Sequence, residues 1–474
     1  VRRHFSLDVR SLAVFRVGLG LLLVADACLR TRDFHLMFTA DGIFPPRLIR
    51  ETYYAGDVSQ WSLALLWDGT WWAAAILAAE GLAGACLAAG WMTTAATVVA
   101  WVAQVSVFRR TIPAANAGDL WLACLLFWSC FLPLGAAWSL DARRRAAGPR
   151  QVCGPATVAL VLQVMAVYIG AGLAKWNASW LNGDAVRYAL SVHDHGTPLG
   201  TWLTSSPWLV QPLTWGVLAA EIGLPLIFLG CPTIRLPVVV TAILFHVAVW
   251  LTMSVGLFAP IGIVAWLAVL PAGLWPADGR PDETTADCRR PAARLACTAA
   301  LALAAASFVR DITPWRERPL PATVRTGLNL FSLWQEWGMF GEVPPLEQWA
   351  YARAELADGR IVDLLRGGRP VESERPTGGF TSLPHHRWHK LLWILPRPMV
   401  RPFAPSVAAA LARDWNARHG PQDQVVTLEL RFAQRNLAQP DAALLEMLVG
   451  AWPDRDADGG GNLERLLESE RTGG

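Results

Sequence analysis

The sequence predicts an α-helical polytopic membrane bundle of about nine spans followed by a smaller α+β soluble domain. Hydrophobic residues make up 53% of the 474 residues and charged residues only 17%. Mean hydropathy is +0.32, above the balance of a water-soluble chain. Almost all long charge-poor runs precede residue 310, and strand-like alternation with turn signals follows it. Residues 1–309 are therefore expected to form the membrane domain and 310–452 an α+β domain. The Asp/Gly-rich tail, 453–474, is expected to be poorly ordered. The net charge of +3 is small, and the basic residues lie in short clusters between apolar runs, which argues against nucleic acid as a partner.

A helix needs about 20 apolar residues to cross the hydrocarbon core of a bilayer. Nine runs qualify: 11–29, 71–89, 92–108, 118–137, 153–174, 207–230, 236–254, 256–276 and 292–309. Two longer stretches are divided, one at Gly90 and one near Ser254 and Gly256. Arg10, Arg30 and Arg32 flank the first run and no small-residue cleavage site follows it, so no cleavable signal peptide is expected. With the N-terminus inside, twelve Arg fall on the cytoplasmic side and seven opposite. The positive-inside rule then leaves the C-terminal domain outside the cytoplasmic membrane. Between the first two spans, Trp61–Trp67 is too short to cross and reads as a helix at the lipid surface. In the soluble part, Trp349–Leu356, the Asp358-Gly359 turn and Arg360–Leu365 read as a hairpin. A helix at 404–418 and a strand at Val425–Phe432 follow.

Charged groups inside spans cost at least about 2.5 kcal/mol on insertion scales, which makes them functional candidates. They are Arg16, Asp26, Glu80, Asp119, Lys175, Glu221 and His246. Asp26 and Asp119 lie near helix ends, where water or capping accounts for them. Arg16 and Glu80 have the signs of an interhelical ion pair. Glu221 and His246 lie deeper in their spans, and an interhelical hydrogen bond competes with chemistry as the role of His246.

Lys175 and Lys390 are the only Lys among 41 basic residues. At helical spacing Tyr168, Ala171, Gly172 and Lys175 share a face, so a phenol and an amine flank small residues where a helix or a flat ligand can approach. Two readings of Lys175 stand. It snorkels beside Trp176 and Trp180 as interfacial anchors, or it points inward, where desolvation favours a neutral amine able to act as a general base. Such an amine can deprotonate a hydroquinone packed against Trp and Tyr faces.

His193-Asp194-His195 lacks a third ligand at metal spacing. Asp454-Arg-Asp456-Ala-Asp458-Gly459 begins like a calcium loop but has Arg465 at its twelfth position. The eight Cys contain no C-x-x-C pair and read as small hydrophobes, so no metal is expected. His385-His386-Arg387-Trp388-His389 reads as a solvated helix start, and Asn177-Ala-Ser179 is a glycosylation sequon.

The opening Phe5–Gly20, with Phe38-Thr-Ala-Asp-Gly-Ile-Phe44, resembles the bacterial HTTM-domain proteins, relatives of the vitamin K-dependent gamma-carboxylase. Three later blocks agree: Ala137-Trp-Ser-Leu-Asp141, Ala171-Gly-Leu-Ala-Lys175 with Trp180 and Gly183, and Phe245-His246 leading to Gly256-Leu-Phe258. The resemblance covers roughly residues 4–275. Leu333-Trp-Gln335-x-Trp337-x-Met339-Phe340 is similar to the start of the soluble region in bacterial members.

By position, Lys175 matches the lysine that serves the carboxylase as base, deprotonating vitamin K hydroquinone before epoxide formation and carboxylation of protein glutamates. The resemblance thus implies a reduced quinone with O2 and CO2, carbon–carbon lyase chemistry, and a protein or peptide substrate on the extracytoplasmic side. Tyr168, Gly172, Trp180, Glu221 and His246 are the expected neighbours of that site. One departure stands out: Ala136 occupies the place of a His that precedes the Trp-Ser-x-Asp of the animal enzyme. The alternative is a non-enzymatic maturation or assembly factor in which Lys175 pairs with Glu221 or Asp119. A transporter would need repeated halves and a polar path, and the sequence has neither.

Overall fold

In chain order, the helices of the N-terminal bundle are α1 (Val9–Arg30), α2 (Thr70–Ala89), α3 (Thr93–Arg110), α4 (Ala117–Ser129), α5 (Pro155–Ala174), α6 (Pro207–Gly230), α7 (Arg235–Thr252), α8 (Phe258–Leu267) and α9 (Pro291–Asp311). This computed structural model describes residues 2–453 apart from 58, 145–147, 278–280, 282, 288–289, 373, 377 and 440–442. The expected tail, apart from Pro453, and the calcium-like loop thus lie outside the described residues.

Among the described residues six helices are long and apolar enough to cross a membrane: α1, α2, α5, α6, α7 with the turn before it, and α9. The expected count of nine is not reached. α4 and α8 have 13 and 10 residues, about 20 and 15 Å at 1.5 Å per residue, against a core of about 30 Å. The Asn116 capping box starts α4. Pro133 follows its end, and Pro271 follows that of α8. Apolar loop residues such as Phe131, Leu132, Val269 and Leu270 had lengthened both runs in the hydropathy pattern. α3 buries Thr93, Thr97, Gln104, Ser106, Arg109 and Arg110, which lower its apolar content, while Val98 and Val99 on its other face are exposed.

Burial sorts the spans by position. In α5, 72% of the most apolar window is buried, against 22% in α6 and in α9. The outward faces of those two carry Leu226 and Leu295 in the open, surface that requires hydrocarbon around it. α1 and α2 meet backbone to backbone: a Cβ on Gly20 would lie 2.4 Å from the Gly84 carbonyl oxygen, the close approach small residues permit.

The Trp-Ser-Leu-Asp block is structural. Asp141 accepts from the Met92 and Thr93 amides at 3.1 and 2.8 Å and from the Thr93 hydroxyl at 2.7 Å, capping α3 where it turns from α2. Arg16 does not pair with Glu80. Its guanidinium donates to the carbonyls of Leu134, Ala137 and Trp138 at 3.1, 3.1 and 2.7 Å, because that loop presents three acceptors to it.

After α9 come α10 (Ala322–Phe331) and an extended segment, 333–343. The C-terminal part then contains β1 (Leu346–Leu356), β2 (Ile361–Asp363), β3 (Arg369–Pro370), α11 (His386–Ile394), α12 (Ala404–Asn416), β4 (Val425–Asn436) and β5 (Leu445–Trp452). The five strands form an antiparallel sheet of order β3-β2-β1-β4-β5. The expected hairpin, helix and strand are present. α12 packs on β4 and β5.

The apolar core under this sheet is shared. Phe38, Phe44 and Ile49 from the α1–α2 connection lie in one cluster with Phe403, Val407 and Phe432. The 61–67 stretch is not a free surface helix: Ala64 and Leu65 are buried, and Ser62 bonds to the Ser106 carbonyl at 2.8 Å. That connection is a floor on which the C-terminal domain rests.

A buried charge cluster bolts the two parts together. Arg387 of α11 donates to Asp119 twice and to Asp26 once, each at 3.0 Å, while Arg30 reaches Asp26 at 2.7 and Asp119 at 2.6 Å. All four side chains are at most 8% exposed. The His385–His389 run does begin a helix, but Arg387, Trp388 and His389 are buried because the helix start is driven into the bundle rather than left in water. Removing one partner of a buried pair leaves a charge without its counter-ion. Arg387→Ala is therefore expected to cost about 3–5 kcal/mol, read as a lowered Tm in nanodiscs; an unchanged Tm would refute the bolt.

Candidate functional site

Lys175 caps the C-terminal end of α5, and its side chain turns inward, 3% exposed. The amine donates to the Ala171 carbonyl at 3.3 Å and the Met339 carbonyl at 2.8 Å. Glu221 of α6 stands 2.9 Å away. Three acceptors are the complement of an ammonium. The Trp180 ring lies 5.1 Å from Nζ, close enough for a cation–π contact.

The small-residue face of α5 is filled by a helix. A Cβ on Gly172 would fall 2.7 Å from Ile222 and 3.3 Å from Glu221, so α6 occupies the space a flat ligand would need. Tyr168 stands seven residues before Lys175, about 10 Å along the helix, in a cluster of its own. Its hydroxyl accepts from Trp266 Nε1 at 2.6 Å and shares a 2.6 Å hydrogen bond with His246 Nε2. The His246 ring presses on α8 at Gly262, where a Cβ would lie 2.2 Å from it. Tyr168 and His246 thus join α5, α7 and α8, while Lys175, Glu221 and Trp180 form the second group.

The extended segment brings the second group its backbone partners. Asn177, the sequon nitrogen, donates to the Gly341 carbonyl at 2.6 Å, and Trp180 to that of Phe340 at 2.8 Å. Upstream, Gln335 hydrogen-bonds with Gln163 of α5, and Trp337 donates to Gln335 at 2.8 Å. Residues 333–343 are therefore built into the bundle.

On the far side of this segment lies a cavity of about 290 Å³. Met339, Phe340, Phe258 and Trp393 give it apolar walls; His193, His195, His386 and Lys390 give it nitrogen. A second cavity of about 290 Å³ shares His386 and Ser254 with it. The His195 ring stacks on His389 at 4.3 Å, and His389 stacks on Phe380 at 4.5 Å. His193 Nε2 donates to the Pro344 carbonyl at 2.8 Å. Burial pushes His386 and His389 down to about 3 and His195 well below the usual range, so these rings are uncharged at neutral pH. Lys390 is pushed down to about 8, by burial first and then by Arg397.

His193 and His195 point to different partners, and Asp194 between them accepts from the Phe380 amide at 2.8 Å and pairs with Arg375. No group of three metal-ligating residues occurs among the described residues. Sequence reasoning missed the cavity because its walls come from segments some 190 residues apart. The available signal was the clustering of five of the nine His, with one of two Lys, in two short stretches.

Six apolar helices long enough to cross a bilayer, packed around buried ion pairs, define a multi-pass membrane protein. The family model of the HTTM domain matches residues 5–273, more than half of the chain, and the protein belongs to that family. No curated protein and no solved structure matches it.

Lys175→Met and Glu221→Met are each expected to cost about 3–5 kcal/mol, since each strands a buried charge, and the double variant to recover most of that loss. Melting of the four proteins in nanodiscs checks this; additive losses would mean the two groups do not interact.

Proposed function

We propose that this protein is a quinol-linked membrane enzyme with carboxylase-like chemistry, in which Lys175 is the base. One observation carries the reading: the Lys175 amine is buried against the carbonyl of Met339, and Met339 lines the 290 Å³ cavity. Glu221 at 2.9 Å can take the proton of the ammonium and free its lone pair. Lys175 does not itself line the cavity: the Met339 carbonyl stands between its amine and the cavity, and a substrate hydroxyl would have to displace it.

The residues present fit a quinol. The cavity lies near the lower end of the about 300–1,000 Å³ typical of small-molecule sites, and Phe258, Phe340 and Trp393 offer flat apolar faces. A bound quinol supplies two electrons and two acidic hydroxyls; the protein holds the ring, keeps water out and moves the proton. With Ala136 in place of a family His, epoxidation under O2 is the first reaction we assign, and carboxylation by CO2 the second. The C-terminal domain packs on the α1–α2 connection, which lies across the first span from the N-terminus, so with the N-terminus inside, the domain and the cavity are outside the cytoplasmic membrane, where a protein or peptide substrate has access.

A second reading is supported by the same contacts. Two carbonyls accept from the Lys175 amine and Glu221 pairs with it, as in a non-enzymatic maturation or assembly factor where the pair ties α5 to α6. Wild type and Lys175→Ala in nanodiscs, assayed for oxidation of naphthohydroquinone to its epoxide under oxygen together with Tm, separate the two. Turnover by wild type and a loss of about 10²-fold or more in the folded variant is the expected result. No turnover by either protein, with a much lower Tm for the variant, would give the second reading the lead.

A further inference from the structure

The two Lys of this chain are used in opposite ways. Lys175 has a carboxylate and two carbonyls around its amine. Lys390 lines the cavity itself, and among the described residues no carboxylate stands within 4.0 Å of it. Its neighbours are the Trp393 ring, 5.1 Å from Nζ, and Arg397, whose guanidinium lies 4.9 Å from the same ring. With no carboxylate at the amine and a second basic group at the same ring, the site lacks an acidic oxygen.

The surroundings hold this arrangement in place. Trp393 Nε1 donates to Gln348 Oε1 at 2.5 Å, and Gln348 is bonded to Gln434 at 2.6 Å, so β1 and β4 orient the ring. Arg387, three residues before Lys390, is pinned in the bundle. The other titratable groups facing the cavity are His193, His195 and His386, which burial keeps neutral, and Glu342, which is exposed.

We propose that Lys390 is the residue that recognises the ligand, its amine receiving the hydroxyl of an acidic aromatic alcohol of the phenol or hydroquinone class while the ring lies along Trp393. The proton passes from oxygen to Nζ, the O–H electron pair stays on oxygen, and an oxyanion–ammonium pair remains; no oxidant is needed. The step needs the neutral amine, and burial, then Arg397, push Lys390 down to about 8, so that part of it is neutral near neutral pH. The proposal rests on the quinol reading only for the ligand class.

The test uses the full-length protein in nanodiscs with 1-naphthol, an aromatic hydroxyl that needs no redox partner, titrated against empty nanodiscs. Loss of a charge-assisted hydrogen bond predicts that Lys390→Met weakens binding about tenfold or more at unchanged Tm. Labelling with trinitrobenzenesulfonate, read separately at the two Lys by peptide mapping, is expected to modify Lys390 ahead of Lys175 and to be blocked at Lys390 by naphthol. Wild-type affinity in Lys390→Met, or no binding by wild type, would overturn the proposal. If naphthol binds through Lys390 but naphthohydroquinone is not turned over, this inference stands and the quinol enzyme falls. Turnover with an unchanged KM in Lys390→Met would keep the quinol enzyme and overturn the role of Lys390.

Discussion

The architecture depends on four charges buried between the bundle and the C-terminal domain. Asp26, Arg30 and Asp119 alone leave the interior of the bundle with an excess negative charge, and Arg387 neutralises it from outside. The same helix, α11, carries His386, Lys390 and Trp393 to the cavity. The floor of the cavity is therefore positioned by an electrostatic contact at the start of that helix, one to two turns away. Glu80 lies fully buried beside the four, with neither carboxyl oxygen hydrogen-bonded. A group so placed costs free energy.

The cavity and the Lys175 pair are two sides of one wall. Residues 338–341 contribute side chains and backbone to the cavity and carbonyls to Lys175, Asn177 and Trp180. That wall has little slack: a Cβ on Gly341 would lie 3.0 Å from the Ala174 side chain. The two lysines thus differ in setting: Lys175 is paired behind the wall, and Lys390 lines the cavity.

What the sequence revealed follows the range of the interactions involved. The apolar runs, the hairpin at Asp358-Gly359 and the strand at 425 depend on near neighbours, and each appears in the structure. The lengths of α4 and α8 were overestimated because hydropathy does not distinguish apolar helix from the apolar loop after it. The Arg16–Glu80 pairing was inferred from sign alone and failed because carbonyl groups compete for guanidinium. The rarity of Lys singled out Lys175 but left open whether it snorkels or points inward, because the residue that meets it, Met339, comes from 164 positions later; the shared face of Tyr168 and Lys175 does not bring them into one group. His385–His389 read as wet because its local composition is polar; only the distant Asp26 and Asp119 explain why it is buried.

Synthesis proceeds from the N-terminus, so α1, α2 and α4 exist long before α11. Until then Asp26 and Asp119 share one guanidinium, that of Arg30, and the wall of the cavity that carries Lys390 has not been made. The last third of the chain thus acts as a keystone. A truncated product lacks Arg387 for its buried carboxylates and the wall of the cavity that α11 carries, so the charge balance of the interior and the closing of the chamber are completed together.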